Sequence, residues 1–253
     1  MYREHAISPV LQSVASCTWQ HTSAVAARSS VVPDACVDLV WDGARLNVAG
    51  PDTGPVMVEM RAGAQIVGLR FVPGAAGSLL GVPASAVRDA RVPLRELWGD
   101  SARVLEERLH AAHDAQAARL QLQAAVHQRM QTSTAIDPVA SAVTRALRPL
   151  PELGEDIELV GRVPSVAQLS AALGVSDRQL LRRCDAAFGY GPKMLARILR
   201  FQAFVQALRS SSHLGFAELA TALGYTDQAH LAHETADLAG QTPRQLQSRW
   251  AAE

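Results

Sequence analysis

A segment of a dozen residues is written twice near the C-terminus, and this recurrence constrains the fold more than any other feature. Val166-Ala167-Gln168-Leu169-Ser170-Ala171-Ala172-Leu173-Gly174-Val175-Ser176-Asp177 returns as Phe216-Ala217-Glu218-Leu219-Ala220-Thr221-Ala222-Leu223-Gly224-Tyr225-Thr226-Asp227. Each copy reads as a short amphipathic helix, a glycine where the helix stops, a small hydroxyl residue suited to a cap, and a second helix. That is the sequence form of a helix-turn-helix unit, and a pair of them points to DNA binding.

In the first copy Val166, Leu169 and Leu173 recur at three and four and share one face. Gly174 is able to take the left-handed conformation that closes the helix, and Ser176 suits the cap of the next. Leu180, Cys184 and Phe188 form the buried stripe of that second helix. Arg178, Arg182 and Asp185 lie on the other side, flanked by Gln179, Leu181 and Arg183. Arginines on the open face of a short helix are suited to guanine edges in a major groove.

In the second copy Leu219, Leu223, Leu231, Thr235 and Leu238 face inward, Thr226 sits at the cap, and Gln228, His230 and His233 are left for DNA. Both copies leave through matching exits, Gly189-Tyr190-Gly191-Pro192 and Gly240-Gln241-Thr242-Pro243, with further helices expected from about Lys193 and Arg244. Met194, Ile198, Phe201, Val205 and Leu208 keep helical spacing between the units, until Ser210-Ser211-Ser212-His213-Leu214-Gly215 breaks it. A helix joining the two units would hold them about 34 Å apart, one turn of DNA.

Residues from about Gly161 to Trp250 resemble the DNA-binding domain of the AraC/XylS family of bacterial transcription regulators. The most specific stretch runs from Ala222 to Leu231, followed by Ala239-Gly240-Gln241-Thr242-Pro243. The resemblance implies that both second helices enter successive major-groove segments on one DNA face. Carried over by position, the first reader uses Arg178, Leu181 and Arg182 with Asp185 near the backbone, and the second uses Gln228, Ala229, His230 and His233. Three positions depart from the family pattern. His233 replaces a usual arginine, and Thr235 and Cys184 replace usual aromatics, so a weaker second contact and lightly filled cores are expected.

Charge limits the kind of binding. The chain has 24 Lys/Arg and 24 Asp/Glu, and residues 161–253 hold 10 of the former and 7 of the latter. So modest a local excess suits a footprint on one duplex face better than sequence-independent coating of nucleic acid. Cys17, Cys36 and Cys184 show neither a metal-ligand cluster nor a disulfide pattern, and no long apolar span or signal peptide is evident. A cytoplasmic protein with no membrane partner is expected.

The N-terminal part has a different texture. Cys36–Trp41 alternates and stops at Asp42-Gly43, and residues 46–50, 56–60 and 65–71 read as further short strands separated by Pro and Gly. Residues 33–43 and 68–74 resemble the small cupin-like domain attached to some regulators of the same family, which implies a ligand-sensing or assembly role. Metal-dependent cupins use clustered histidines, whereas His5 and His21 are isolated and no His-x-His occurs, so no metal and no cofactor are expected. Trp19, Trp41, Glu59, Arg70 and Phe71 are candidate lining residues of an effector pocket, against the plainer reading that such tryptophans are core.

A short helix is expected at Ala84 after Leu80-Gly81-Val82-Pro83, and further helices from about 101 to 148. Leu105, Leu109, Leu120, Leu122 and Val126 mark apolar positions, and Val139, Val143, Ala146 and Leu147 form the stripe of a helix begun at Asp137-Pro138. This region could pack as a bundle, on the barrel, or against a second copy as a homodimer. The expected architecture is therefore multidomain α+β. A small cupin-like antiparallel β-barrel occupies 1–100, a helical connecting or dimerisation region 101–149, a linker 150–160, and an all-α domain with two helix-turn-helix units 161–253. The function expected is a sequence-specific, non-enzymatic regulator of double-stranded promoter DNA, open to a small-molecule effector and to RNA polymerase. The alternatives are an architectural DNA-binding protein, or a DNA-repair enzyme with an accessory domain of this type, whose cysteine-rich zinc arrangement the N-terminal half lacks.

Overall fold

The computed structural model describes residues 1–147, 164–210 and 214–250. The expected linker 150–160, the start of the last domain at 161, and the Ser211-Ser212-His213 break lie outside the described residues.

The N-terminal part holds eight strands: β1 (Tyr2–Ala6), β2 (Ala15–Thr22), β3 (Ala27–Val31), β4 (Asp38–Trp41), β5 (Leu46–Ala49), β6 (Val56–Met60), β7 (Gln65–Phe71) and β8 (Arg91–Pro93). Six form one sheet in the order β1-β2-β7-β4-β5-β8, and β3 with β6 form a separate ribbon. Every pairing is antiparallel. The antiparallel β-domain expected from the sequence is thus present, with β1 and β8 as the ends of the larger sheet. Period-two alternation alone does not reveal β2, because its core-facing positions include Thr18 and Gln20 and the apolar signal is diluted.

One sheet face carries Leu39, Trp41, Val67, Leu69 and Phe71 into a core shared with helices α1 (Ala76–Leu80), α2 (Arg95–Trp98), α3 (Asp100–His110) and α4 (Ala115–Met130). A 3-10 turn at Ala84–Val87 stands where a short helix was expected. Leu105, Leu109, Leu122 and Val126 are buried as their spacing required, but Leu120 is 56 % exposed. The other face holds a polar cluster in which Arg70 makes a double hydrogen bond to Asp38 and reaches Asp34 and Glu4. Trp19 donates its indole N–H to Asp38 and lies flat across Gly68, where a Cβ would meet the ring at 2.2 Å.

The second core belongs to α5 (Pro138–Leu147), α6 (Val166–Leu173), α7 (Asp177–Phe188), α8 (Pro192–Arg209), α9 (Phe216–Ala222), α10 (Gln228–Ala239) and α11 (Pro243–Trp250). Although α5 was grouped with the connecting helices, its Ala140, Val143 and Leu147 pack here. α8 is buried on more than the expected stripe: Leu195, Leu199 and Phe204 join Ile198, Phe201 and Val205, because units stand on both sides of it.

The two cores touch. Arg88 donates to the Gly189 carbonyl at 2.7 Å and lies 3.7 Å from Asp185, both at the end of α7. Gln202 of α8 donates to the Pro33 carbonyl, and Arg249 of α11 to Ser29 and Ser30 on β3. Gly189 (φ +84) sits so close to Pro51 that a Cβ there would come within 2.6 Å of the ring.

Candidate nucleic-acid interface

The first unit is built as its sequence requires. Ser165 and Gln168 form a capping box at the start of α6, and Gly174 (φ +65) closes it in the left-handed conformation. Ser176 and Gln179 form a second capping box at the start of α7, with bonds of 2.9 and 3.2 Å. Gln179 is thereby engaged at the cap. Ser170 hydrogen-bonds the Asp177 carboxylate, fixing the two helices to each other.

Leu180, Cys184 and Phe188 turn inward, and burial pushes the Cys184 thiol up to about 12, which keeps it protonated. Arg178, Leu181 and Arg182 face out, Leu181 46 % exposed, and neither arginine has a carboxylate within ion-pair distance among the described residues. Arg183 instead reaches Asp137 at 3.4 Å. Asp185, carried over as a backbone neighbour of DNA, is half-buried beside Arg88 of the N-terminal part.

The second unit has the same outline with one change of cap. Thr226 was expected there, but Asp227 is the N-cap and accepts from the His230 backbone N–H at 2.7 Å. A carboxylate is favoured at a helix N-terminus because it accepts an orphan N–H and opposes the helix dipole. Gln228, Ala229 and His233 face solvent, His233 with 81 % of its side chain exposed.

His230 does not stand free with them. Its Nδ1 accepts from the Thr226 N–H at 3.2 Å, its Nε2 lies 3.5 Å from Glu234, and its ring meets Tyr225 edge-on at 5.3 Å. That pattern fits the neutral ring with its proton on Nε2.

Behind His230 is a group that helical spacing does not reveal. Glu234, 5 % exposed, accepts from Arg200 through both oxygens at 2.9 and 3.0 Å and from Arg197 at 3.1 Å. Arg200 also lies over the Tyr225 ring at 4.6 Å, and Arg197 reaches Asp237. Two cations from α8 therefore hold α10. The available sequence signal was a glutamate set inside the apolar stripe of α10, next to Thr235 and four residues after His230.

Thr235 is fully buried and its hydroxyl has no hydrogen-bond partner among the described residues. Exchanging it for valine removes the unpaired group at nearly constant shape. Thr235→Val is expected to stabilise the protein by about 1–2 kcal/mol, read as a higher midpoint in thermal unfolding. A lower midpoint would mean that the hydroxyl is satisfied in solution.

The five candidate pocket residues do not converge. Trp19 and Arg70 meet at Asp38 on the outer sheet face, whereas Trp41 and Phe71 are buried in the core on the opposite face. Glu59 is exposed on the β3–β6 ribbon, paired with Arg28 at 2.6 Å. Instead of one pocket they form a structural cluster, two core residues and a surface ion pair. Alternation within a strand places neighbours on opposite faces, which is why residues 70 and 71 could not share one pocket.

Residues 169–249 match the family model described as a helix-turn-helix domain, of the AraC type. The C-terminal part is thus a helix-turn-helix domain of the AraC type. A domain of this type supports a DNA-binding transcription regulator. Residues 3–93 match a second model, described as a domain of unknown function, DUF6597. Among solved structures, the C-terminal domain of AraT, a response regulator from Geobacillus stearothermophilus, is similar at 18% identity and TM-score 0.37, over 46% of this chain and 88% of that one. ToxT from Vibrio cholerae O395 is similar at 8% identity and TM-score 0.48, over 96% of this chain and 100% of the other. No curated protein matches. None of the helices among the described residues is long and apolar enough to cross a membrane.

Proposed function

We propose that this AraC-type regulator binds promoter DNA sequence-specifically in the cytoplasm, and that its N-terminal domain adjusts the binding in response to a small ligand or to self-association. In this reading residues 1–100 sense, 101–149 connect or dimerise, and 161–253 read DNA, with RNA polymerase as the downstream partner. Arg178, Leu181 and Arg182 read the first groove segment; Gln228, Ala229 and His233 face the second, with His230 setting their position.

The observation that carries the reading is the state of α7. Its outward arginines are unpaired among the described residues, while its far end is held by Arg88 of the N-terminal part. One helix is thus open to DNA on one side and in contact with the other domain at its end. Selection of duplexes from a random pool by the full-length protein tests the reading. Two short blocks about one helical turn apart are expected. Binding without any motif, and falling steeply with salt, would favour the architectural alternative.

Arg88 also supplies a test of the coupling. It neutralises Asp185 beside the reading face and caps the last carbonyls of α7. Arg88→Ala leaves a bare carboxylate near the DNA phosphates and is expected to weaken binding of the selected duplex by about 3–10-fold, more at low salt. Stability should change by less than about 1 kcal/mol, since the pair is exposed. Unchanged affinity in a salt series would remove this contact from the coupling.

A further inference from the structure

One short stretch of the β-domain touches the ends of both proposed reading helices, α7 and α10. It is the β5–β6 connection, Gly50-Pro51-Asp52-Thr53-Gly54-Pro55. Pro51 lies on Gly189, the residue that closes α7, so near that a Cβ there would come within 2.6 Å of its ring. Pro55 lies on Gly240, which closes α10, and a Cβ there would meet its ring at 3.4 Å. The backbone between the two prolines spans at most about 14 Å. A few residues therefore meet equivalent points of the two helix-turn-helix units.

The loop is braced from behind. The Gly50 N–H donates to the Ala90 carbonyl at 3.0 Å, and a Cβ on Gly50 would lie 1.6 Å from the Val87 carbonyl oxygen. The Asp89 N–H donates to the Pro51 carbonyl at 3.2 Å. Its carboxylate accepts from the Thr53 N–H at 2.6 Å and from the Thr53 hydroxyl at 2.9 Å. Buried Asp52 accepts from Arg91 through both oxygens, at 2.8 and 2.7 Å. Asp89 itself holds φ +54, a left-handed conformation that persists in a residue other than glycine only where its surroundings over-determine it. The two prolines restrict their own φ. The connection is stiff.

Its two seats differ in depth. Gly189 is buried, with the Ala84 carbonyl beside it and Arg88 on its own carbonyl. Pro55 and Gly240 are exposed, and the second unit has a further hold, Arg249 of α11 on Ser29 and Ser30 of β3, the partner strand of β6. The units are thus joined twice, once through α8 and once through this loop and ribbon. A single packed helix leaves each unit able to rock against it. A second bridge closes a ring and removes that freedom.

We propose that Pro51 and Pro55 are positioning residues that fix the spacing of the two reading helices, and with it the spacing of the two DNA blocks the protein accepts. The part concerning DNA rests on the reading of the chain as a two-unit promoter reader; the part concerning the helices does not. A stiff bridge matched to one geometry favours one block spacing, whereas units joined through α8 alone tolerate several.

The distance between nitroxide labels on the full-length protein, without DNA, tests the bridge. Ala171→Cys on α6 and Thr221→Cys on α9 are exposed and equivalent in the two units, and Cys36→Ser leaves Cys17 and Cys184, both buried, as the native thiols. The native loop should give one narrow distribution. Two glycines inserted between Thr53 and Gly54 should broaden it, while the same insertion between Gly43 and Ala44, in the exposed β4–β5 turn, should not. An unchanged distribution after the first insertion would leave α8 alone setting the spacing. Equal broadening from both would mean only that the β-domain had softened. Either result overturns the proposal. On duplexes carrying the selected blocks, moving one block by a base pair should weaken native binding by about tenfold or more, and that of the Thr53 insertion variant by about threefold or less. Pro55→Ala, at an exposed position, should shift the penalty the same way by a smaller amount. Equal spacing penalties in the native and insertion proteins overturn the part concerning DNA. If no two-block motif is selected, the promoter reading fails, and the label distances still decide the bridge.

Discussion

Replacing Glu234 by alanine is expected to destabilise the protein by about 3–5 kcal/mol, the cost of removing one member of a buried charge group and leaving the rest unpaired. Glu234 is 5 % exposed and Arg200, which meets it through two bonds, keeps only 14 % of its side chain in contact with solvent. With the carboxylate gone, Arg200 faces a low-dielectric gap without its anion, and Arg197 keeps only Asp237. Thr235 beside it already contributes a hydroxyl with no partner among the described residues to the same helix. Chemical denaturation should show a lower midpoint, and a footprint on the selected duplex should lose protection of the second block first. Glu234→Gln, which keeps one acceptor, should fall between wild type and alanine. Wild-type stability in both variants would mean that the ion group does not hold α10 in solution.

Arg182→Ala carries the second large effect, in binding and not in stability. The side chain is exposed and has no carboxylate partner among the described residues, so its loss should leave unfolding unchanged within about 0.5 kcal/mol. A lost bidentate base contact should weaken binding of the selected duplex by about 1–3 kcal/mol, roughly 5- to 150-fold, and relax preference at one position. Competition against random duplex decides its role. Equal losses on both would place Arg182 on the phosphate backbone. His233→Ala should do less, because an imidazole lacks the forked pair of donors with which a guanidinium grips a base edge or phosphate.

The two units present different surfaces. α7 presents two arginines without a carboxylate partner among the described residues, whereas α10, from Gln228 to Ala239, contains neither Lys nor Arg, and the nearest arginines of α8 are turned inward onto Glu234. In the proposed reading the electrostatic share of affinity would rest mainly on the first unit. A shallow salt dependence with a large sequence preference is the behaviour such a surface supports.

Most of the C-terminal architecture was legible in the residues. The helix ends at Gly174, Gly189 and Gly240 have the left-handed conformation expected of them, and Pro192 and Pro243 begin the next helices, one residue before the expected starts. Leu180, Cys184, Phe188, Leu219, Leu231, Thr235 and Leu238 are buried as their spacing required. The cap at Asp227 was misplaced by one residue, because Thr226 and Asp227 are both good caps and only the helix phase chooses between them. His230 was read as outward-facing because its position on α10 does not reveal that Tyr225 and Glu234 draw the ring back. In the N-terminal part β4 to β7 were visible through alternation, whereas β1 and β2, with polar residues toward the core, were not.

Features that depend on a few neighbouring residues were legible in the chain itself: helix periods, left-handed glycines and most of the caps, and hence two helix-turn-helix units on an antiparallel β-domain. How the charges are used emerges only when the separate elements pack together. Arg200 and Glu234, Arg88 and Asp185, and Arg119 and Gln20 are distant in the chain and meet through packing of separate elements. An arginine looks alike in sequence whether it faces DNA or a buried carboxylate. The energy of each depends on the partner and the solvent around it, and those are properties of the assembled fold.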